Sequence, residues 1–193
     1  STLSSSSAAS DVYKRQGMYS VSASINDVQV VEVPLTMPDD PRGAFRLDVP
    51  KVQAALAQDP SIKLVFLCSP GNPTGTLLAM EDVCAILETP AYQGLVVVDE
   101  AYIDFALEEQ AQGRKHTASQ AVSAVSLVHE YANLIVSQTL SKSFGLAGVR
   151  MGVAFAQPPI IQVMNNTKAP YNVSTLAAHA ASQALAPEGI QRM

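Results

Sequence analysis

Charge is scarce in this chain. Asp, Glu, Lys and Arg make up 15% of it, the formal net charge is −5, and no stretch is densely basic. Grip on a phosphate backbone needs clustered Lys and Arg, so nucleic acid is excluded as a partner. No run of about 18 apolar residues occurs, and no membrane span is expected. The only cysteines are Cys68 and Cys84. Their spacing fits neither a zinc site nor a thioredoxin-like pair, and two small buried thiols suit a reduced, cytoplasmic setting. His116, His129 and His179 show no ligand spacing with one another or with the cysteines, so no metal centre is expected. A Walker loop, a Gly-x-Gly-x-x-Gly turn and a Ser-His-Asp order are also missing, as is any internal repeat.

What remains is a chain rich in apolar residues. They account for 48% of 193 residues, enough for a buried core in one domain of ordinary size. Strand-like apolar runs cover 27–33, 62–68, 95–98, 134–137 and 152–156. Helical spacing covers 48–59, opened by Asp48 as N-cap with Pro50 in the first turn, and recurs at 80–87, 118–131, 158–168 and 174–186. Ser174 is the expected cap of the last helix. The polar stretch 107–116 reads as a surface insertion. Short strands alternating with amphipathic helices predict an α/β fold, a mostly parallel sheet flanked by helices on both faces.

Residues 1–16 stand apart. Ser and Ala dominate positions 1–10, with no apolar core of a secretory signal. Asp11-Val-Tyr-Lys-Arg-Gln16 back-translates to GATGTGTATAAGAGACAG, which resembles a transposon end used in sequencing libraries. This stretch is expected to be a non-native leader, an adapter read-through. The chain also stops at Met193 inside an Ala-rich helical pattern, so residues 17–193 are expected to be cut at both ends.

Three motifs carry the chemistry, each following an apolar run: Ser69-Pro-Gly-Asn-Pro-Thr-Gly75, Val96-Val-Val-Asp-Glu-Ala-Tyr102 and Thr139-Leu-Ser-Lys-Ser-Phe-Gly-Leu-Ala-Gly-Val-Arg150. Strand ends are where open α/β sheets bind ligands. Together the motifs supply what pyridoxal 5'-phosphate (PLP) needs: a lysine to bond it, a carboxylate beside its ring nitrogen, and hydroxyls with an arginine for its phosphate. Lys142 is the candidate lysine and Asp99 the carboxylate. Asn72 and Tyr102 are candidate donors to the phenolic oxygen. Thr139, Ser141 and Arg150 are candidate phosphate ligands. Taken singly, each has an ordinary alternative: a surface or capping aspartate, an Asx turn, a packed tyrosine, a solvated lysine.

With Gly17-Met-Tyr-Ser-Val-Ser-Ala23 and Lys168-Ala-Pro-Tyr-Asn-Val-Ser174, these motifs resemble the histidinol-phosphate aminotransferases. The resemblance implies a fold-type I, PLP-dependent enzyme of histidine biosynthesis, a homodimer exchanging an amino group between histidinol phosphate and 2-oxoglutarate, with glutamate as the product. It makes Lys142 the Schiff-base lysine, Asp99 the pyridinium partner, and Asn172 a residue near the substrate. The family has a ring-stacking tyrosine where Gln16 stands here, and the resemblance makes residues 17–193 a partial PLP-binding large domain without the N-terminal arm and the C-terminal small domain. Two alternatives stay open: another fold-type I enzyme, such as an aromatic aminotransferase or threonine-phosphate decarboxylase, or a non-catalytic fragment.

Overall fold

The computed structural model describes residues 17–37, 39, 45–111 and 122–190. Four strands form one sheet in the order β1 (Leu64–Cys68), β2 (Leu95–Asp99), β3 (Leu134–Thr139) and β4 (Gly152–Ala156). β1, β2 and β3 run parallel, and β4 returns antiparallel to β3. The mostly parallel α/β expectation therefore holds. The reversal at β4 is a hairpin whose rungs join Thr139 to Gly152 and Ile135 to Ala156.

The helices follow local chemistry. α1 (Gly17–Ile25) precedes the first loop. α2 (Val49–Gln58) carries Pro50 in its first turn, where a missing N–H costs nothing. α3 (Met80–Leu87) has Glu81 and Asp82 against the positive end of its dipole. α5 (Pro158–Thr167) again opens on proline. α6 (Thr175–Ala184) is capped by Ser174, whose hydroxyl accepts the Ala177 N–H at 3.1 Å. No helix among the described residues is long and apolar enough to cross a membrane.

The core lies on one face of the sheet. Val65, Val96 and Leu134 form one buried row and Leu67, Val98 and Val136 the next, with Val83 and Ile86 of α3 and Val52 and Leu56 of α2 packed in the same cluster. The opposite face is not closed in the same way. Phe66, Val97, Asp99 and Ser137 remain half-buried. Tyr19 of α1 covers Phe66, with ring centroids 4.8 Å apart. Helices thus flank the sheet as expected, with α2 and α3 packed in the core and α1 reaching the other face.

Four local expectations change. Residues 27–33 form no strand, only a single-residue bridge at Val33, because a β-run without a ladder partner has no use for its backbone groups. Within 118–131, the described part holds a four-residue 3-10 turn, Ala124–Leu127, started by the Ser123 hydroxyl accepting from Val125 N–H. Residues 107–111 belong to helix α4 (Ile103–Ala111), anchored by buried Ile103 and Ala106; 112–116 lie outside the described residues. Asp48 sits at the N-cap position of α2 but does not cap it. Its carboxylate pairs with Lys51 at 2.9 Å instead.

Candidate active site

The parallel ladder delivers the first chemical group. Register places Cys68 of β1, Asp99 of β2 and Ser137 of β3 in one row at the carboxyl ends of the parallel strands. Asp99 is the last residue of β2, on the half-open face. Its Oδ1 accepts from the Ala101 N–H at 3.2 Å and from the Ser137 hydroxyl at 3.5 Å. Its Oδ2 accepts from the Tyr19 phenol. Burial, then the neighbouring Cys68 and Asp99, push the Tyr19 phenol far above its ordinary range, so Tyr19 stays a neutral donor.

Two turns after β1 and β2 bring the next pair together. Loop 69–78 is tied down by the Ser69 hydroxyl accepting from Leu78 N–H at 3.0 Å and by Gly71 N–H donating to Thr76 at 3.0 Å. Gly75 closes it at φ +64°, a left-handed conformation that strains other residues. Asn72 is exposed on this loop, and its amide donates to the Tyr102 hydroxyl at 3.4 Å. Asn72 and Tyr102 line a cleft of about 570 Å³ shared with Pro70, Leu77, Phe105 and Glu109.

The hairpin between β3 and β4 supplies the rest. The Thr139 hydroxyl bonds that of Ser141 at 3.0 Å and accepts the Ser141 N–H at 3.2 Å. Lys142 is exposed, with Nζ 5.0 Å above the Tyr102 ring, a cation–π contact. Ser143 donates to Asp104 at the start of α4, which holds the lysine loop beside the Tyr102 turn. Arg150 ends the hairpin loop in a left-handed conformation, φ +54°, and its guanidinium is exposed, donating to Ala147 O at 3.0 Å.

Of the eight residues expected from sequence, Asn72, Tyr102 and Lys142 meet directly. Asp99, Thr139, Ser141 and Arg150 lie on the same strand ends and the same hairpin. Asn172 does not join them: it is exposed in the turn before α6 and makes no hydrogen bond among the described residues. Tyr19, Ser137, Asp104 and Ser143 were not expected. Ser137 lies two residues before Thr139, so strand alternation alone puts both on one face. Tyr19 meets Asp99 across 80 residues of sequence, and nothing local announces it.

The residues present fit PLP. A carboxylate has about four acceptor positions. Three donors occupy Asp99, which leaves one position for a ring N–H. The Tyr102 oxygen accepts from Asn72 and keeps its own O–H free to donate. Lys142 is exposed and so open to a carbonyl carbon, and two hydroxyls and an exposed arginine on one hairpin suit a phosphate dianion.

The family model for aminotransferase class I and II matches residues 17–192. The chain is 49% identical over 177 residues to the histidinol-phosphate aminotransferase of Schizosaccharomyces pombe, covering 92% of this chain and 41% of that protein. It is 43% identical over 176 residues to that of Saccharomyces cerevisiae, covering 91% and 41%. The solved histidinol-phosphate aminotransferase of Sinorhizobium meliloti, in complex with pyridoxal-5'-phosphate, superposes with a TM-score of 0.74 at 24% identity, over 98% of this chain and 45% of that one. At that identity the superposition speaks for the fold alone. The chain thus spans about two fifths of the length of the curated relatives it matches. With a family model running from Gly17 almost to the end, the chain belongs to the class I and II aminotransferases.

Proposed function

We propose that this chain is the cofactor-holding part of a PLP-dependent aminotransferase that transfers the amino group of L-histidinol phosphate to 2-oxoglutarate. The single observation behind the reading is the meeting of Lys142, Tyr102 and Asn72 at the carboxyl edge of a sheet whose neighbouring strand ends in Asp99. In this reading residues 17–193 are part of the large domain, the whole protein is a homodimer, and its substrates are small molecules.

PLP, when bound, supplies an electron sink for the substrate's α-carbon. The chain's residues do the rest. Asp99 would hold a proton on the ring nitrogen through its remaining acceptor position, with Ser137, Ala101 and Tyr19 keeping the carboxylate in place. Tyr102 donates to the phenolic oxygen, oriented by Asn72. Thr139, Ser141 and Arg150 would hold the phosphate. Lys142 would hold the cofactor covalently through its Nζ, and the same amine would carry a proton as general base and acid. The Tyr102 ring beneath it limits where the ammonium can go. Asn172 is assigned to the substrate mouth on the resemblance alone.

The test uses the full-length protein. Histidinol phosphate with 2-oxoglutarate is expected to support turnover far above that with phenylalanine or tyrosine as donor. A preference for the aromatic donors overturns the substrate. Failure to form a borohydride-trapped cofactor adduct overturns the chemistry.

A further inference from the structure

The strand that ends in Asp99 runs on into a glutamate that the cofactor does not need. Glu100 is 1% exposed. One carboxylate oxygen accepts from the Ala124 N–H at 2.6 Å. The other accepts from the Ser123 hydroxyl and from the Gln138 amide, each at 2.8 Å. Strand alternation sends Asp99 and Glu100 to opposite faces, so Glu100 lies on the closed face with Gln138 and Ala124. Burying a carboxylate is costly where an apolar side chain would pack freely. An apolar residue, however, could not join three segments distant in sequence: the exit of β2, the 3-10 turn and the end of β3. Gln138 is also the residue between Ser137, which reaches Asp99, and Thr139, which reaches Ser141.

We infer that Glu100 is a positioning residue: from the closed face its carboxylate locks the exit of β2 to the end of β3, and so fixes the spacing between the Asp99 carboxylate and the Thr139–Ser141 hydroxyls. This rests on the cofactor reading above, in which those groups grip the two ends of one rigid ligand. A ligand of fixed length reads a spacing error directly, and a misplacement of about 1 Å can cost about 100-fold. The backbone rung from Glu100 N–H to Ser137 O, 2.8 Å, is the element the lock protects.

Three variants separate the possibilities. In Glu100→Gln the new amide keeps the Ala124 bond through its oxygen, and its NH2 faces the Ser123 oxygen and a Gln138 amide that can flip to accept. All three bonds survive, so PLP affinity and the circular dichroism of bound PLP are expected within about twofold of the parent. Gln138→Leu and Glu100→Ala remove one bond and all three. PLP affinity is expected to fall about tenfold in the first and further in the second, with an altered dichroic signal. In the same variants without cofactor, amide exchange at residues 100–103 is expected to accelerate about tenfold. If Glu100→Ala does not fold, Gln138→Leu decides alone. Parent-like dichroism, affinity and exchange in Gln138→Leu, with only a lower melting temperature, overturn the inference. A parent protein that binds no PLP overturns the cofactor reading instead, and the exchange rates still decide whether Glu100 holds the turn.

Discussion

On one face of the sheet Val65, Leu67, Val96, Val98, Leu134 and Val136 are exposed by 2% or less. On the other, Phe66, Val97, Asp99 and Ser137 stay half-buried, and the loops beyond them expose Asn72, Lys142 and Arg150. The same strands build both faces, so the difference lies in side chains, not in backbone. The closed face is made of apolar volume and one carboxylate with three donors. The open face holds polar groups with acceptor and donor positions still free. Stability and chemistry are thereby assigned to opposite sides of one layer, with Glu100 and Gln138 the closed-face groups that tie one to the other.

The largest effect belongs to Lys142→Ala in the full-length protein. Turnover and the borohydride-trapped adduct are expected to vanish, because among the described residues no other nucleophile stands over the Tyr102 ring, while unfolding is unchanged since the side chain is exposed. Peptide mapping of the trapped adduct checks it. An adduct on a different lysine removes Lys142 from the site.

Asp99→Asn comes next. PLP is expected to stay bound through the phosphate ligands, and turnover to fall about 10²–10³-fold, since an amide cannot hold the ring proton electrostatically. Single-turnover kinetics with the cofactor loaded measure this. Near-normal turnover would exclude Asp99 from the chemistry.

Leu67→Ala attacks the closed face instead. Its side chain is fully buried, so the change is expected to cost about 2–5 kcal/mol of stability, with the PLP affinity of the folded fraction intact. Denaturant titration with and without cofactor reads both. Equal loss of affinity and stability would mean the faces are not separable.

Arg150→Gly should split the two properties in opposite directions. Glycine relieves a left-handed backbone worth about 1 kcal/mol, and the lost guanidinium weakens phosphate binding. A variant that is less stable and still binds PLP normally would break both halves of the argument.

The smallest effect is a pH dependence. Burial above all, with the charge of Asp104, holds the Glu100 carboxyl above its ordinary range despite three donors. The folded state then binds that proton more tightly than the unfolded one. Its contribution to stability is complete below the unfolded glutamate value and is lost as pH rises through the raised value. Glu100→Gln, which cannot ionise, is expected to flatten that decline. Chemical denaturation across acid to neutral pH measures it, and curves that stay parallel would contradict it.

Much of the site was legible because its parts are local. Asn72, Asp99 and Lys142 each follow an apolar run, and their element boundaries came out within a residue or two. β4 and α3 matched their patterns fully. Asp48 was diverted by a near neighbour, Lys51, but two other misreadings share a cause: they depended on a partner elsewhere in the chain. Residues 27–33 alternate like a strand but find no ladder. The 118–131 pattern is apolar at helical spacing, yet its described part is held as a tight turn by Glu100 from another element. Tyr19 and Asp104 act only through contacts with Asp99 and Ser143 that sequence spacing does not reveal.

The antiparallel return of β4 sets an order of assembly. Lys142 and Arg150 lie within one hairpin whose first rung joins Thr139 to Gly152, so a short loop closure brings them to the same edge. Asn72 must find Tyr102 across 30 residues, and Tyr19 must find Asp99 across 80. Contacts of short separation form fastest. The hairpin that carries Lys142 and Arg150 is therefore expected to form before the long-range contacts that join Asn72 to Tyr102 and Tyr19 to Asp99.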